Sequence, residues 1–161
     1  NSTQFMSDED LRAVAHYLKV LPPGSNNADK PWQYQADAGN SDRPGAPVYA
    51  ARCASCHGAD GRGQAPWIPP LAGATSMQVD SASAINVTLN GSGRVVADGV
   101  PDAYRMPPYR RQLSDQQVAD VLSYIRGAWG NNGNAVTAEQ VKTLREATDP
   151  ASSEVIILHM R

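Results

Sequence analysis

Long apolar runs are missing from this 161-residue chain. Near its end the longest is Val155-Ile156-Ile157-Leu158, far short of the roughly 20 residues that cross a bilayer as a helix. A charged opening followed by an apolar stretch, the mark of an export signal, is missing too. Asn1 is not an initiator Met, so the sequence reads as cut or processed from something longer. Charge of one sign is missing: the net charge is −2, and no run of Lys or Arg exceeds Arg110-Arg111. That argues against nucleic acid as a partner. Aromatic residues are only 6% of the chain, with Phe5 the single Phe, and a small core so composed commonly depends on a cofactor or a staple. Cysteine is nearly absent. Cys53 and Cys56 are too few for a disulfide framework. What is present is a 41% apolar fraction, enough for one packed domain with extensions, or one domain plus part of another.

Residues 7–20 read as an amphipathic helix: Ser7 and Asp10 form a capping box, and Leu11, Val14, Ala15 and Leu18 fall on one face. Pro22-Pro23-Gly24 ends it, and residues 23–44 read as a linker rich in Pro, Gly, Asn, Asp and Ser, which Trp32 and Tyr34 can anchor to a surface. Residues 47–53 suggest a short helix with Pro47 in its first turn. Turn formers dominate 58–100, apart from a helix near 81–89. The clearest helix spans 114–129, with a Ser114/Gln117 capping box and a stripe of Val118, Val121, Leu122, Ile125 and Trp129; Gly127, Gly130 and Asn131 mark its end. A weaker one spans 138–147, capped by Thr137. Residues 6–18 align with 113–125 without a gap, matching Ser7, Asp8, Val14 and Tyr17 to Ser114, Asp115, Val121 and Tyr124.

The chemistry is carried by residues 53–57, Cys-Ala-Ser-Cys-His. The Cys-x-x-Cys-His string is the attachment signature of c-type haem. Two thiols add to the two vinyl groups, and the next residue is then held beneath the porphyrin, where an imidazole nitrogen makes a good axial ligand. Three other readings compete. A thioredoxin-like dithiol opens a long helix, but Gly58, Gly61 and Gly63 follow at once. A zinc site needs two more ligands, and His16 and His159 stand alone at opposite ends. A plain disulfide has no use for His57.

Candidates for the second axial position are Met6, Met77, Met106, Met160, His16 and His159. Met106 leads, because Pro107-Pro108-Tyr109 stiffen its loop just before the clearest helix; Met77, in a small polar loop, comes second. An iron-bound His57 should donate its other ring N–H to a carbonyl. The Pro69-Pro70-Leu71 stretch either supplies that carbonyl or is a plain turn. Tyr104, Arg105, Arg94, Trp67 and Trp129 are candidates to wall the haem or bond its propionates, with ordinary packing or exposure as the alternative for each.

Taken together, residues 45–130 resemble a class I cytochrome c domain. The carrying residues are Gly45, Tyr49, Cys53 to Gly58, Pro69 to Gly73, Arg105 to Tyr109 and the helix Leu113–Ile125. The resemblance implies an all-α cytochrome c fold, about three to four helices and long loops around one covalent haem c. It places Cys53, Cys56 and His57 at the haem-binding positions and Met106 as sixth ligand. The opening and closing strings are similar to the triheme cytochrome subunits of bacterial membrane-associated alcohol, aldehyde, gluconate and N-heterocycle dehydrogenases, although only one CxxCH is present here. This implies an electron carrier rather than an enzyme, fed by a dehydrogenase catalytic subunit. It would deliver to other haem domains or a respiratory-chain acceptor. The setting would be periplasmic, at the bacterial inner membrane only through the full-length protein or its partners. Residues 1–22 would then be the terminal helix of a preceding domain, 23–44 the linker, 45–130 the haem domain and 131–161 an extension. A haem enzyme or gas sensor with an open sixth position is the alternative, and a dithiol redox module a third.

Overall fold

A computed structural model describes residues 6–21, 32–36, 40–65, 67–92 and 105–149. The chain divides into two compact units, residues 1–31 and 32–161. The first holds α1 (Asp8–Val20). Ser7 Oγ accepts from the Asp10 N–H at 3.2 Å, and the Asp10 carboxylate accepts from the Ser7 N–H at 3.3 Å. The expected capping box is therefore formed, and Asp8, Glu9 and Asp10 complement the helix dipole. No residue of α1 is buried; Leu11, Val14, Tyr17 and Leu18 are all exposed.

The second unit contains α2 (Ala46–Arg52), α3 (Ala54–His57), α4 (Ala82–Asn90), α5 (Asp115–Arg126) and α6 (Ala138–Ala147), with 3-10 turns at Asn40–Asp42 and Thr75–Met77. Among the described residues there are no strands, only single bridges between Gln64 and Ile68 and between Ser92 and Met106. The fold is all-α, as the sequence implies.

α5 is the spine. Ser114 and Gln117 cap it reciprocally, and Val118, Ala119, Val121, Leu122, Tyr124 and Ile125 are buried along it. α2 crosses it at Gly45, whose φ is +90° and whose added Cβ would lie 2.1 Å from the Asp120 carbonyl oxygen. Only a glycine permits that approach. One turn on, the Tyr49 and Tyr124 rings meet at 5.5 Å.

α5 ends at Arg126, three residues before its apolar stripe does. Trp129 continues the stripe in sequence, yet it sits on a turn at φ +54°. There its ring lies 5.2 Å from Tyr49 and edge-on to Tyr124 at 5.9 Å. Burial of a three-ring cluster outweighs one unfavourable backbone angle. The chain then returns along the domain: Ser123 Oγ bonds both the N–H and the carbonyl of Val136, and α6 begins at a Thr137/Gln140 capping box with Val141 fully buried.

Residues 32–36 drape over this unit. Trp32 lies over Gly73, Tyr34 lies under the Arg62 guanidinium at 4.2 Å, and the Gln35 N–H donates to the Trp129 carbonyl at 3.2 Å. Two prolines near the site have clear environments: Ile68 next to Pro69 is buried, while Pro69 and Pro70 are exposed.

Candidate functional site

The Cys-Ala-Ser-Cys-His string folds as a single tight helical turn. The His57 N–H donates to the Cys53 carbonyl at 2.9 Å and the Gly58 N–H to the Ala54 carbonyl at 2.9 Å. Gly58 (φ +79°) then breaks the helix. The break is held by the Tyr49 hydroxyl, which donates to the Gly58 carbonyl at 2.5 Å. Neither cysteine is in a disulfide. Cys53 is half-buried against the core and Cys56 is exposed. Burial first, and then Cys56, pushes the Cys53 thiol up to about 11.

His57 is oriented from below. Its Nδ1 lies 3.1 Å from the Pro69 carbonyl; with the proton on Nδ1, Nε2 is left with a free lone pair that could ligate a metal. Of the two prolines considered, the carbonyl is therefore Pro69's, and Pro70 beside it is exposed. Burial lowers the His57 pKa, against the opposing pull of the Pro69 bond, which favours the neutral ring that metal ligation requires. The loop bearing Pro69 is itself fixed. The Leu71 and Ala72 N–H groups donate to the Gly61 carbonyl. The buried Asn131 amide accepts from the Gly73 N–H at 2.9 Å and donates to the Leu71 and Ile125 carbonyls at 3.1 and 2.9 Å.

Met106 lies on the loop that precedes α5. It exchanges two backbone hydrogen bonds with Ser92, at 3.1 and 3.0 Å, and its half-buried side chain packs against the core. Tyr109 joins this loop to the cysteine segment. Its hydroxyl donates to the Arg52 carbonyl at 2.7 Å. Its pKa is raised by burial first and then by Cys53 and Cys56, which lie close by. Met77, the second candidate for the axial position, is buried under the Thr75–Met77 turn as a core residue. Trp129 is core as well, while Trp67 is exposed and Arg105 lies at the exposed edge of the loop. Tyr104 and Arg94 lie outside the described residues.

Three groups to which the sequence assigns no part in the site hold loops of this unit: Asn131, Arg110 and Arg126. Arg126 is 2% exposed and donates to the Val79 and Asn134 carbonyls at 2.7 Å each. Each reaches at least one backbone carbonyl more than thirty residues away, and such pairings leave no local signature.

The arrangement has a CxxCH turn, a neutral oriented imidazole and a thioether on a stiff loop tied to the same turn. The chain belongs to the cytochrome c family, whose profile matches residues 43–129. It is 41% identical to the cytochrome c subunit of a quinone alcohol dehydrogenase from Gluconacetobacter polyoxogenes, over 94% of this chain and 34% of that protein. It is 39% identical to the gluconate 2-dehydrogenase cytochrome c subunit of Pantoea cypripedii, over 91% of this chain and 35% of that protein. Cytochrome c-552 of Thermus thermophilus is 35% identical, over 63% of this chain and 83% of that protein. The chain thus spans about a third of the length of the dehydrogenase subunits it matches.

Family membership implies a covalently bound haem c. The donor chemistry of this site fits one: two thiols free of any disulfide three residues apart, a neutral imidazole with one nitrogen already occupied by a carbonyl, and a soft thioether.

Proposed function

We propose that this chain carries one haem c, bound through thioethers to Cys53 and Cys56, and transfers single electrons. His57 and Met106 are its axial ligands. The observation that supports this most directly is the His57–Pro69 hydrogen bond. It fixes the tautomer of the one residue that the CxxCH string places for ligation. When bound, haem supplies an iron that takes up and releases one electron, and Met/His ligation favours its reduced form. The protein's part is to hold two ligands still and to wall the group with apolar side chains. Met77 comes second on this reading because it packs in the core under its own turn, and nothing among the described residues favours an open sixth position.

By similarity to the relatives, the electron donor is a dehydrogenase catalytic subunit, and the acceptors are further haem domains or a respiratory-chain component. The setting is periplasmic, at the bacterial inner membrane through the full-length protein or its partners. No helix among the described residues is long and apolar enough to cross a membrane. The proposed organisation is 1–22 as the terminal helix of a preceding cytochrome domain, 23–44 as linker, 45–130 as the haem domain and 131–161 as an extension. Residues 32–36 belong to the linker by sequence while packing on the second unit.

Two measurements test the reading. Denaturing mass spectrometry of matured protein should show one haem retained; a haem-free mass refutes it. The ferric protein should show the weak near-infrared sulfur–iron band, and Met106→Ala should remove it and lower the potential. A band that survives Met106→Ala but is lost in Met77→Ala reverses the ligand assignment.

A further inference from the structure

We propose that α6 is a brace for the loop that carries Met106, and that Arg110 is the positioning residue through which it acts. The inference rests on the reading of Met106 as an iron ligand. The loop has an inherent weakness. Pro107 and Pro108 have no N–H groups, so the backbone directly after Met106 cannot be held by its own donors. The hold must come from either side. Upstream, Met106 pairs with Ser92, and Gly91 is pressed so close that a Cβ there would lie 2.6 Å from the Met106 carbonyl oxygen. Downstream, the Tyr109 and Arg110 N–H groups donate at 3.0 Å to the Thr88 and Leu89 carbonyls, in the last turn of α4 where carbonyls lack helical partners.

The Arg110 side chain then fastens this downstream end to α6. Nε donates to Asn90 Oδ1 at 2.9 Å, Nη1 to the Arg145 carbonyl at 2.7 Å, and Nη2 to the Thr148 carbonyl and Oγ1 at 2.9 and 2.7 Å. Arg145 returns the bond. Its guanidinium donates to the Arg110 carbonyl, to the Leu113 carbonyl at 3.0 Å and to Asp115 Oδ1 at 2.6 Å. Thr148 is 4% exposed and also accepts from Asn90 Nδ2 at 3.0 Å. Two arginines thus lock residues 110–113 between the ends of α4 and α6. The family match stops at residue 129, so the α6 half of this lock, Arg145 and Thr148, lies outside the matched residues. A charge-assisted, multidentate Arg contact is strong and geometrically specific, which is what a loop without its own donors lacks.

The brace would act by keeping the thioether from leaving. Its test is competition by imidazole for the axial position in the ferric, haem-loaded full chain, followed in the Soret region. Arg110→Gln should bind imidazole about tenfold more tightly than the parent, the change that loss of about 1.4 kcal/mol of loop hold produces. Thr148→Val, a gentler cut that keeps the shape, should show a smaller gain, and the sulfur–iron band should persist in both before imidazole is added. Arg43→Gln is the control, since it removes hydrogen bonds to the Gly127 and Ser123 carbonyls, neither of them in α6, and should leave imidazole affinity unchanged. Parental affinity in both lock variants overturns the proposal, as does an equal gain in Arg43→Gln. Should Arg110→Gln fail to fold, Thr148→Val against Arg43→Gln decides. If Met106→Ala keeps the band, the ligand reading itself has failed, and that result is separate from any of these.

Discussion

His57 shows how a single side chain is prepared for its task. A buried imidazole resists protonation, and the Pro69 carbonyl fixes which nitrogen carries the remaining proton. The sign of the stability change follows. The folded pKa is below the ordinary value of 6.5, so under that pH the unfolded chain binds a proton that the folded chain refuses. Stability is therefore full above about pH 6.5, falls as pH drops through it, and levels off below the folded value. Ligation to a metal acts in the same direction, because only the neutral ring ligates. Denaturant midpoints measured between pH 7.5 and 5 should decline; a flat or rising profile contradicts a buried neutral His57. Asn131 makes a second case. It is itself buried, donates to two carbonyls and accepts from one N–H, the bond to Ile125 buried and the other two part-buried. Asn131→Asp keeps the acceptor but turns two donated bonds into repulsion, so a loss of at least about 2 kcal/mol is expected in urea unfolding. These two residues also show what the sequence can reveal. His57 was legible because its partners, two thiols, stand within five residues. Asn131 was not, because its partners are backbone groups of residues 71, 73 and 125, and any residue supplies those.

At the level of elements, the helices that the sequence displays best are those with reciprocal caps. α1, α5 and α6 each begin at the expected Ser or Thr, and each capping box is formed. Periodicity was a poorer guide to where α5 stops, since Trp129 keeps the stripe while the chain has already turned to bring its ring onto Tyr49. α3 was not visible as an element at all. It is one turn long, has no side-chain cap, and is defined by how Cys53 to Gly58 fold back on themselves. The α2–α5 crossing rests on Gly45 and on the contact of Tyr49 with Tyr124. Its sensitivity can be predicted: Gly45→Ala would push a methyl onto the Asp120 carbonyl at 2.1 Å and force an L residue to φ +90°. Overpacking and backbone strain together should cost at least about 2 kcal/mol. The melting temperature should fall by several degrees, whereas Ala51→Gly, on the exposed side of α2, should cost no more than about 1 kcal/mol. Equal effects at the two positions would mean that the helices do not cross where Gly45 lies.

For the whole molecule, the net charge of −2 gives little long-range steering. Electron delivery to a partner should therefore change only mildly with ionic strength; a steep fall would show a charged docking face. The separation into two units carries the larger consequence. α1 has the cap, stripe and tyrosine of α5, yet α5 buries its apolar residues and α1 buries none. In α5, Val121 and Tyr124 are covered by α2, whose Gly45 and Tyr49 precede a CxxCH. The matching residues of α1, Val14 and Tyr17, are 46% and 62% exposed. An apolar stripe of this length on a 13-residue helix is not maintained by helix propensity alone, because isolated helices of about that size are marginal in water. The proposal that α1 closes a preceding cytochrome domain accounts for the stripe. It predicts that deleting residues 1–22 leaves the haem spectrum and the potential of the second unit nearly unchanged, since the described residues proposed to hold the haem and its two ligands all belong to that unit. It predicts further that Val14→Asp, in a longer chain containing the preceding domain, destabilises that domain while leaving the spectrum of this one intact. A deletion that shifts the potential or removes the sulfur–iron band would instead make α1 part of the haem domain.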